Sequence, residues 1–326
     1  MAKDFDVEKW REDKKAMESR FREELKEKIL QLRSTVEWQE YLRISSKMPK
    51  YSFNNQILLL LQNPEVSYVA SAGFWRQEKN LVKKGEVGLR ILAPVTQSKD
   101  DTKLEAKLRG LPEPDPGEKN KKIVGFHLIP VFDVSQTVQG VEWLESKDIE
   151  TKDLQFEAEE IFLNLKKVAS NLSMVVIEKE DHELEPGVKG SFTKSLNEIH
   201  LRGSMASGMK TKTLSHEIAH SLLDNNIHDY HERRDFYEFR AESVAYVVCQ
   251  RLGIDTAEYS ISYVSKWLID TPNDEVIKLV TATATEITKT ANQIYDLYCD
   301  AVDSQHYVGA DLNHSLTQHS EQGISR

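Results

Sequence analysis

Apolar side chains recur at Trp10, Met17, Phe21, Leu25, Ile29 and Leu32, close to the 3.6-residue period of a helix, with Glu and Lys crowding the opposite face. The stripe predicts one long amphipathic helix over residues 10–42, its charged side turned to solvent. Pro49 ends the pattern, and residues 54–62 form a second helix stopped by Asn63-Pro64. Strand-like runs follow. Residues 66–70 are short and β-rich, residues 81–95 carry a turn at Lys84-Gly85, and residues 123–134 resume as strand. Between the last two, residues 98–122 hold acids, lysines and Leu111-Pro112-Glu113-Pro114-Asp115-Pro116-Gly117, the composition of a mobile, solvated loop inserted within a domain.

Residues 141–152, rich in charge and poor in apolar positions, read as a linker. Beyond them come a helix over 154–170, strands at 174–177 and 198–201 with a loop at Glu185-Pro186-Gly187 between, and a helical pattern almost to Cys299. Residues 301–326 have no period and read as a flexible tail. The expectation is an α+β chain: an α+β domain over 1–140, the linker, and a mostly helical domain with a small sheet over 153–300.

Composition narrows the class. With 39% hydrophobic and 29% charged residues among 326, the chain can build cores and is not a disordered polymer. Apolar runs such as Ile57–Leu61 are far too short for a membrane span. The first residues lack a signal-peptide core, and Cys249 and Cys299 sit in apolar helical patterns as reduced packing residues, so a cytoplasmic location is expected. Charge is unevenly divided. Residues 1–150 hold 26 Lys and Arg against 25 Asp and Glu, residues 151–326 hold 17 against 28, and the whole is −10. An acidic chain is a poor nucleic-acid binder by its bulk field, yet a local basic stretch can still meet phosphates.

Chemistry concentrates at His216-Glu217-Ile218-Ala219-His220. Leu214, Ile218 and Leu222 share one helical face, so residues 211–223 form a helix and His216 and His220 stand one turn apart on one side. Two imidazoles so spaced can share a tetrahedral Zn²⁺ with one more protein ligand and a water, and Glu217 is the residue to take a proton from that water. The third ligand is sought on the helix over 237–248, where Glu238 and Glu242 are again four apart. Glu238 is assigned to the metal and Glu242 to a hydrogen bond on a ligand histidine, with the reverse order open. His228 and His231, in the connection between the helices, are further candidates. Residues 197–201 could be the edge strand beside the cleft, where an extended peptide would pair.

These residues carry a resemblance. His216-Glu-x-x-His220 followed by Glu238-x-x-Ala241-Glu242 resembles the thermolysin-like zincins (gluzincins), and within them the metallopeptidase module of the ArdC antirestriction family, related to the ImmA/IrrE peptidases. The first half resembles that family's single-stranded-DNA-binding domain at Tyr51-Ser52-Phe53-Asn54-Asn55-Gln56, at Gly73-Phe74-Trp75, at Val82-Lys83-Lys84-Gly85-Glu86-x-Gly88-x-x-Ile91-Leu92-Ala93-Pro94 and at Val131–Thr137. The matches span roughly residues 40–300. Lys79-Asn80-Leu81 departs from the family's usual Gly-Arg, and the loop at 98–122 is unusually charged.

The resemblance implies a zinc peptidase tethered to single-stranded DNA, with an unidentified protein substrate and an antirestriction role in the entry of mobile DNA. Aromatic and basic residues of the first half suit that reading, because bases stack on rings while cations track phosphates. Tyr51, Asn55, Trp75, Arg76, Lys79, Lys83 and Lys84 are the nominated contacts, although burial in the core is the commoner use of any one ring. The alternative is a non-proteolytic protein that shields incoming single-stranded DNA and uses zinc only to hold its fold.

Overall fold

A computed structural model describes residues 7–96, 123–144, 157–224, 233–254 and 271–321. The loop at 98–122, most of the expected linker, and His228 and His231 lie outside the described residues. The fold is α+β: long helices and, among the described residues, two three-stranded sheets. The chain divides into two compact units, residues 1–28 with 54–148 and residues 29–53 with 149–326.

In the first unit, most of α1 (Val7–Gln31), α3 (Phe53–Gln62) from Asn54 on, and α4 (Ala72–Gln77) accompany strands β1 (Val69–Ala70), β2 (Leu89–Thr96) and β3 (Ile123–Asp133). The strands pair antiparallel in the order β1-β3-β2. That order leaves one edge of β2 to be satisfied, and amides of α3 satisfy it. Asn55 Nδ2 donates to Leu92 O at 3.0 Å and its Oδ1 accepts from Leu92 N at 2.8 Å; Gln62 makes the same pair of bonds with Arg90 at 2.9 and 2.7 Å. At the end of β3, buried Asp133 accepts from the backbone N–H groups of Ser67, Tyr68 and Ser135 and from the Ser135 hydroxyl. The carboxylate thus meets four donors, which is how its burial is tolerated. Gly88 passes against β3, and a Cβ there would lie 2.9 Å from Pro130 Cβ.

Trp143, inside the stretch expected as linker, is instead buried with Ala70, Trp75 and Val134. Its ring lies 5.1 Å from Trp75 and 5.4 Å from Tyr68. The poverty of apolar residues around it hid the fact that one indole suffices to anchor a segment.

The second unit contains α2 (Thr35–Lys47), which the sequence pattern joins to the preceding helix and to the first domain. Ser34 breaks the run: it is extended, and its carbonyl accepts from Trp38 N to start α2. Trp38, Tyr41, Leu42 and Ile44 are buried. Trp38 Nε1 donates to Ser243 Oγ at 3.0 Å, and the Tyr41 hydroxyl reaches Thr288 Oγ1 at 2.9 Å. Arg251 caps the helix, with Nε and Nη2 each 3.1 Å from the carbonyls of Ser46 and Ser45.

The rest of this unit is α5 (Ala158–Asn171), β4 (Val175–Lys179), β5 (Gly190–Thr193), β6 (Glu198–Arg202), α6 (Ser207–Leu223), α7 (Arg234–Arg251) and α8 (Asn273–Glu321). Helix α8 runs on through most of the segment expected as a tail. The sheet order is β4-β6-β5, with β4 parallel and β5 antiparallel to β6. Residues 198–202 are therefore the central strand, with β4 at one edge and at the other Gly190–Thr193, a run too short and too glycine- and serine-rich to read as strand from pattern alone.

Candidate metal centre

Helix α6 carries Leu214 and Ile218 fully buried, which fixes its rotation and turns His216 and His220 to the same side. Helix α7 packs with Ala241, Val244, Ala245 and Val248 buried, and so presents Glu238 and Glu242 to α6. The imidazoles meet at 4.6 Å between ring centroids, with Nε2 to Nε2 at 3.0 Å. Glu238 Oε2 completes the group at 3.3 Å from His216 Nε2 and 3.6 Å from His220 Nε2.

Those separations match the edge of a tetrahedron around one ion, about 3.3 Å for ligand bonds of about 2.0–2.1 Å. The opposite ring nitrogens are already engaged. His216 Nδ1 lies 3.1 Å from Glu242 Oε2, and His220 Nδ1 lies 2.6 Å from Asp224 Oδ2. When each Nδ1–H donates to its carboxylate, both Nε2 lone pairs and the Glu238 oxygen converge on one point with no proton among them. Three electron-pair donors so placed fit a divalent cation. His216, His220 and Glu238 can hold a metal.

The electrostatics agree. Burial pulls His216 down, but the Glu238 and Glu242 carboxylates overcome it and raise its pKa to about 10. The two histidines hold the Glu238 carboxyl well below the usual range. For Glu242, burial works upward, and His216 and Lys212 bring the net shift downward. Positive charge is thus strongly stabilised at the point of convergence. Glu217, only 7% exposed, is pushed up by burial, partly offset by both histidines, and accepts a hydrogen bond from the Phe192 backbone of edge strand β5.

The structure brings His216, Glu217, His220, Glu238 and Glu242 together. It adds three residues that sequence reading missed. Asp224 follows His220 by four, a legible spacing, and pairs with it; Lys212 reaches Glu242 Oε1 at 3.4 Å and Arg240 reaches Asp224 Oδ1 at 3.8 Å. His200 pairs with Glu198 at 3.1 Å on the central strand.

The residues nominated for nucleic acid are treated unevenly. Trp75 is fully buried, and its Nε1 donates to Phe132 O at 2.9 Å, so it has no face for a base. Asn55 is buried and spends its amide on β2. Both are corrected to fold residues. Arg76, Lys79, Lys83 and Lys84 sit at the surface, with Lys83 Nζ touching Ser135 O at 3.0 Å. Tyr51 is half-buried and belongs to the second compact unit. Among the described residues no helix is long and apolar enough to cross a membrane.

An α+β fold with a helix-borne His-Glu-x-x-His sequence and a candidate metal site thus describes the chain, and solved structures similar to it include an antirestriction protein. Crystal structures of ArdC from plasmid R388, metal-free and Mn(II)-bound, align with 77% and 76% of this chain and 86% and 85% of their own, each at a TM-score of 0.47 and with 17% and 19% identity. An uncharacterised protein of Bacillus anthracis is 28% identical over 253 residues, which cover 70% of this chain. The chain spans only 42% of that relative's length. No family profile matches the chain.

Proposed function

We propose that the chain is a metal-dependent peptidase of the gluzincin type, with zinc the metal its two imidazoles and one carboxylate suit best. The observation that carries this is the convergence of His216 Nε2, His220 Nε2 and Glu238 Oε2 beside buried Glu217. A divalent ion bound there supplies Lewis-acid polarisation of a carbonyl and makes a water more acidic. Glu217 takes the proton of the attacking water at its carboxylate and passes it to the amine nitrogen as the C–N bond breaks, the water oxygen staying on the carbonyl carbon. A carboxyl whose pKa is raised by burial suits this return of the proton. Glu242 and Asp224 orient the two rings. Edge strand β5 lies on the Glu217 side and offers backbone groups to an extended substrate.

The first unit is assigned to single-stranded DNA through Arg76, Lys79, Lys83 and Lys84, and the role in protecting mobile DNA in the cytoplasm rests on the motif resemblance. Metal content by elemental analysis tests the core of the reading. One zinc per chain in the wild type, lost in His216→Ala, supports it, and no uptake of supplied zinc removes it. Glu217→Gln then separates peptidase from DNA shield: metal retained, peptide cleavage abolished, and any protection of DNA that survives belongs to the binding role.

A further inference from the structure

Asp224 and Arg240 stand behind His220, away from the converging donor atoms. Asp224 Oδ2 holds His220 Nδ1 at 2.6 Å, while Oδ1 is buried with no hydrogen-bond partner among the described residues. Arg240, 8% exposed, brings Nη1 to 3.8 Å from that Oδ1 and donates from Nη2 to Glu286 Oε2 at 2.9 Å. Among the described residues its Nε likewise is buried with no hydrogen-bond partner. The Phe236 and Tyr237 rings, 5.3 and 6.0 Å from the guanidinium carbon, flank it.

A buried ion pair is by itself a weak source of stability. Removing a guanidinium and a carboxylate from water is costly, and a 3.8 Å approach without a hydrogen bond offsets only part of that cost. Replacing such a pair with apolar residues is commonly neutral or stabilising. What the pair does have is a mechanical connection to a metal ligand. One carboxylate oxygen can hold a ring N–H while the group still turns about its own bond; attraction at the second oxygen opposes that turning.

Resting on the metal-site reading, we propose that Arg240 is a positioning residue for the metal. By drawing on Asp224 Oδ1 it sets the plane of the His220 ring, and so aims Nε2 at the point shared with His216 and Glu238. The other ligand is backed in the same way: Glu242 gives Oε2 to His216 Nδ1 and Oε1 to Lys212 Nζ. Each ligand imidazole leans on a carboxylate, and each carboxylate on a cation. Arg240 is the more deeply buried of the two cations, so solvent weakens its pull less.

The test uses the full chain and zinc ion alone, in competition with a chromophoric chelator well below the melting temperature. Cobalt(II) absorption reports ligand geometry, and melting is recorded with and without metal. Arg240→Met should keep one site but bind zinc about 10–100-fold more weakly, with an altered cobalt spectrum, and Arg240→Lys should restore part of the affinity. A purely structural role would lower the melting temperature while leaving affinity within twofold and the cobalt spectrum unchanged; that result overturns the proposal. Should Arg240→Met not fold, Asp224→Asn takes its place with the same expected loss, and wild-type affinity in that variant overturns it equally. A wild type that takes up no zinc rejects the metal-site reading before any variant is compared.

Discussion

Gly190 leaves the room that Glu217 occupies. A Cβ at Gly190 would lie 3.2 Å from Glu217 Oε1 and 2.5 Å from Thr213 Cγ2, so the edge strand can approach helix α6 only because position 190 has no side chain. The close approach also brings the Phe192 backbone to the Glu217 carboxylate.

Gly190→Ala is therefore expected to destabilise the chain by about 1–3 kcal/mol, the usual cost of forcing a methyl group into packed space. Thr213→Ser removes the methyl at 2.5 Å and should recover part of that loss in the double variant. Urea unfolding of the four chains measures the coupling. Additive effects would show that the clash is relieved some other way.

The choice between Glu238 and Glu242 is open to direct measurement. Glu238→Gln should abolish or severely weaken metal binding, because its Oε2 is one of the three converging donors. Glu242→Gln touches His216 only at Nδ1 and should keep the stoichiometry while costing about 10–100-fold in affinity. Isothermal titration with zinc distinguishes them, and the reverse ranking would exchange their roles.

Tyr41 gives the second unit a slope in alkali. Burial pushes its hydroxyl up to about 12, only partly offset by Thr288 and Ser45. The unfolded chain loses that proton near pH 10, the folded chain later, so the stabilisation is whole below about pH 10 and drains away as pH rises toward about 12, by about 2–3 kcal/mol. In Tyr41→Phe this part of the slope disappears, while that of Tyr298, also raised to about 12, remains. Urea midpoints at pH 8 and pH 11 for the two chains give the comparison.

For nucleic acid, Lys83→Glu with Lys84→Glu should weaken binding of an oligodeoxythymidylate and flatten its salt dependence, by about 0.7 in the logarithmic slope for each phosphate no longer neutralised. Trp75→Phe should instead lower stability by about 1–3 kcal/mol, because it removes the indole's hydrogen bond to the part-buried Phe132 carbonyl and leaves space in a fully buried ring site, and should not change the salt slope. Fluorescence anisotropy across a salt series separates the two. An unchanged slope in the lysine variant would remove these residues from the interface.

What can be read from the chain alone is local in sequence. His216 and His220 are one helical turn apart, and so are Glu238 and Glu242. Helical periodicity therefore places each pair on one face before any fold is known, and the α+β class follows from alternating helix- and strand-period segments. Asp224, four residues after His220, lies within the same reach.

Residues whose partners are distant in sequence are decided by tertiary packing. Trp75 and Asn55 look like ligand-facing groups until β2 and β3 come alongside and claim their hydrogen bonds. Strand β6, expected at an edge, becomes central only when β4 pairs along its other side. Helix α2 joins the second unit because Trp38 and Tyr41 find Ser243 and Thr288, 205 and 247 positions later. Periodicity specifies which face of an element is apolar; it carries no information about which other element will cover that face, and that is settled only when the whole chain competes for the same buried volume.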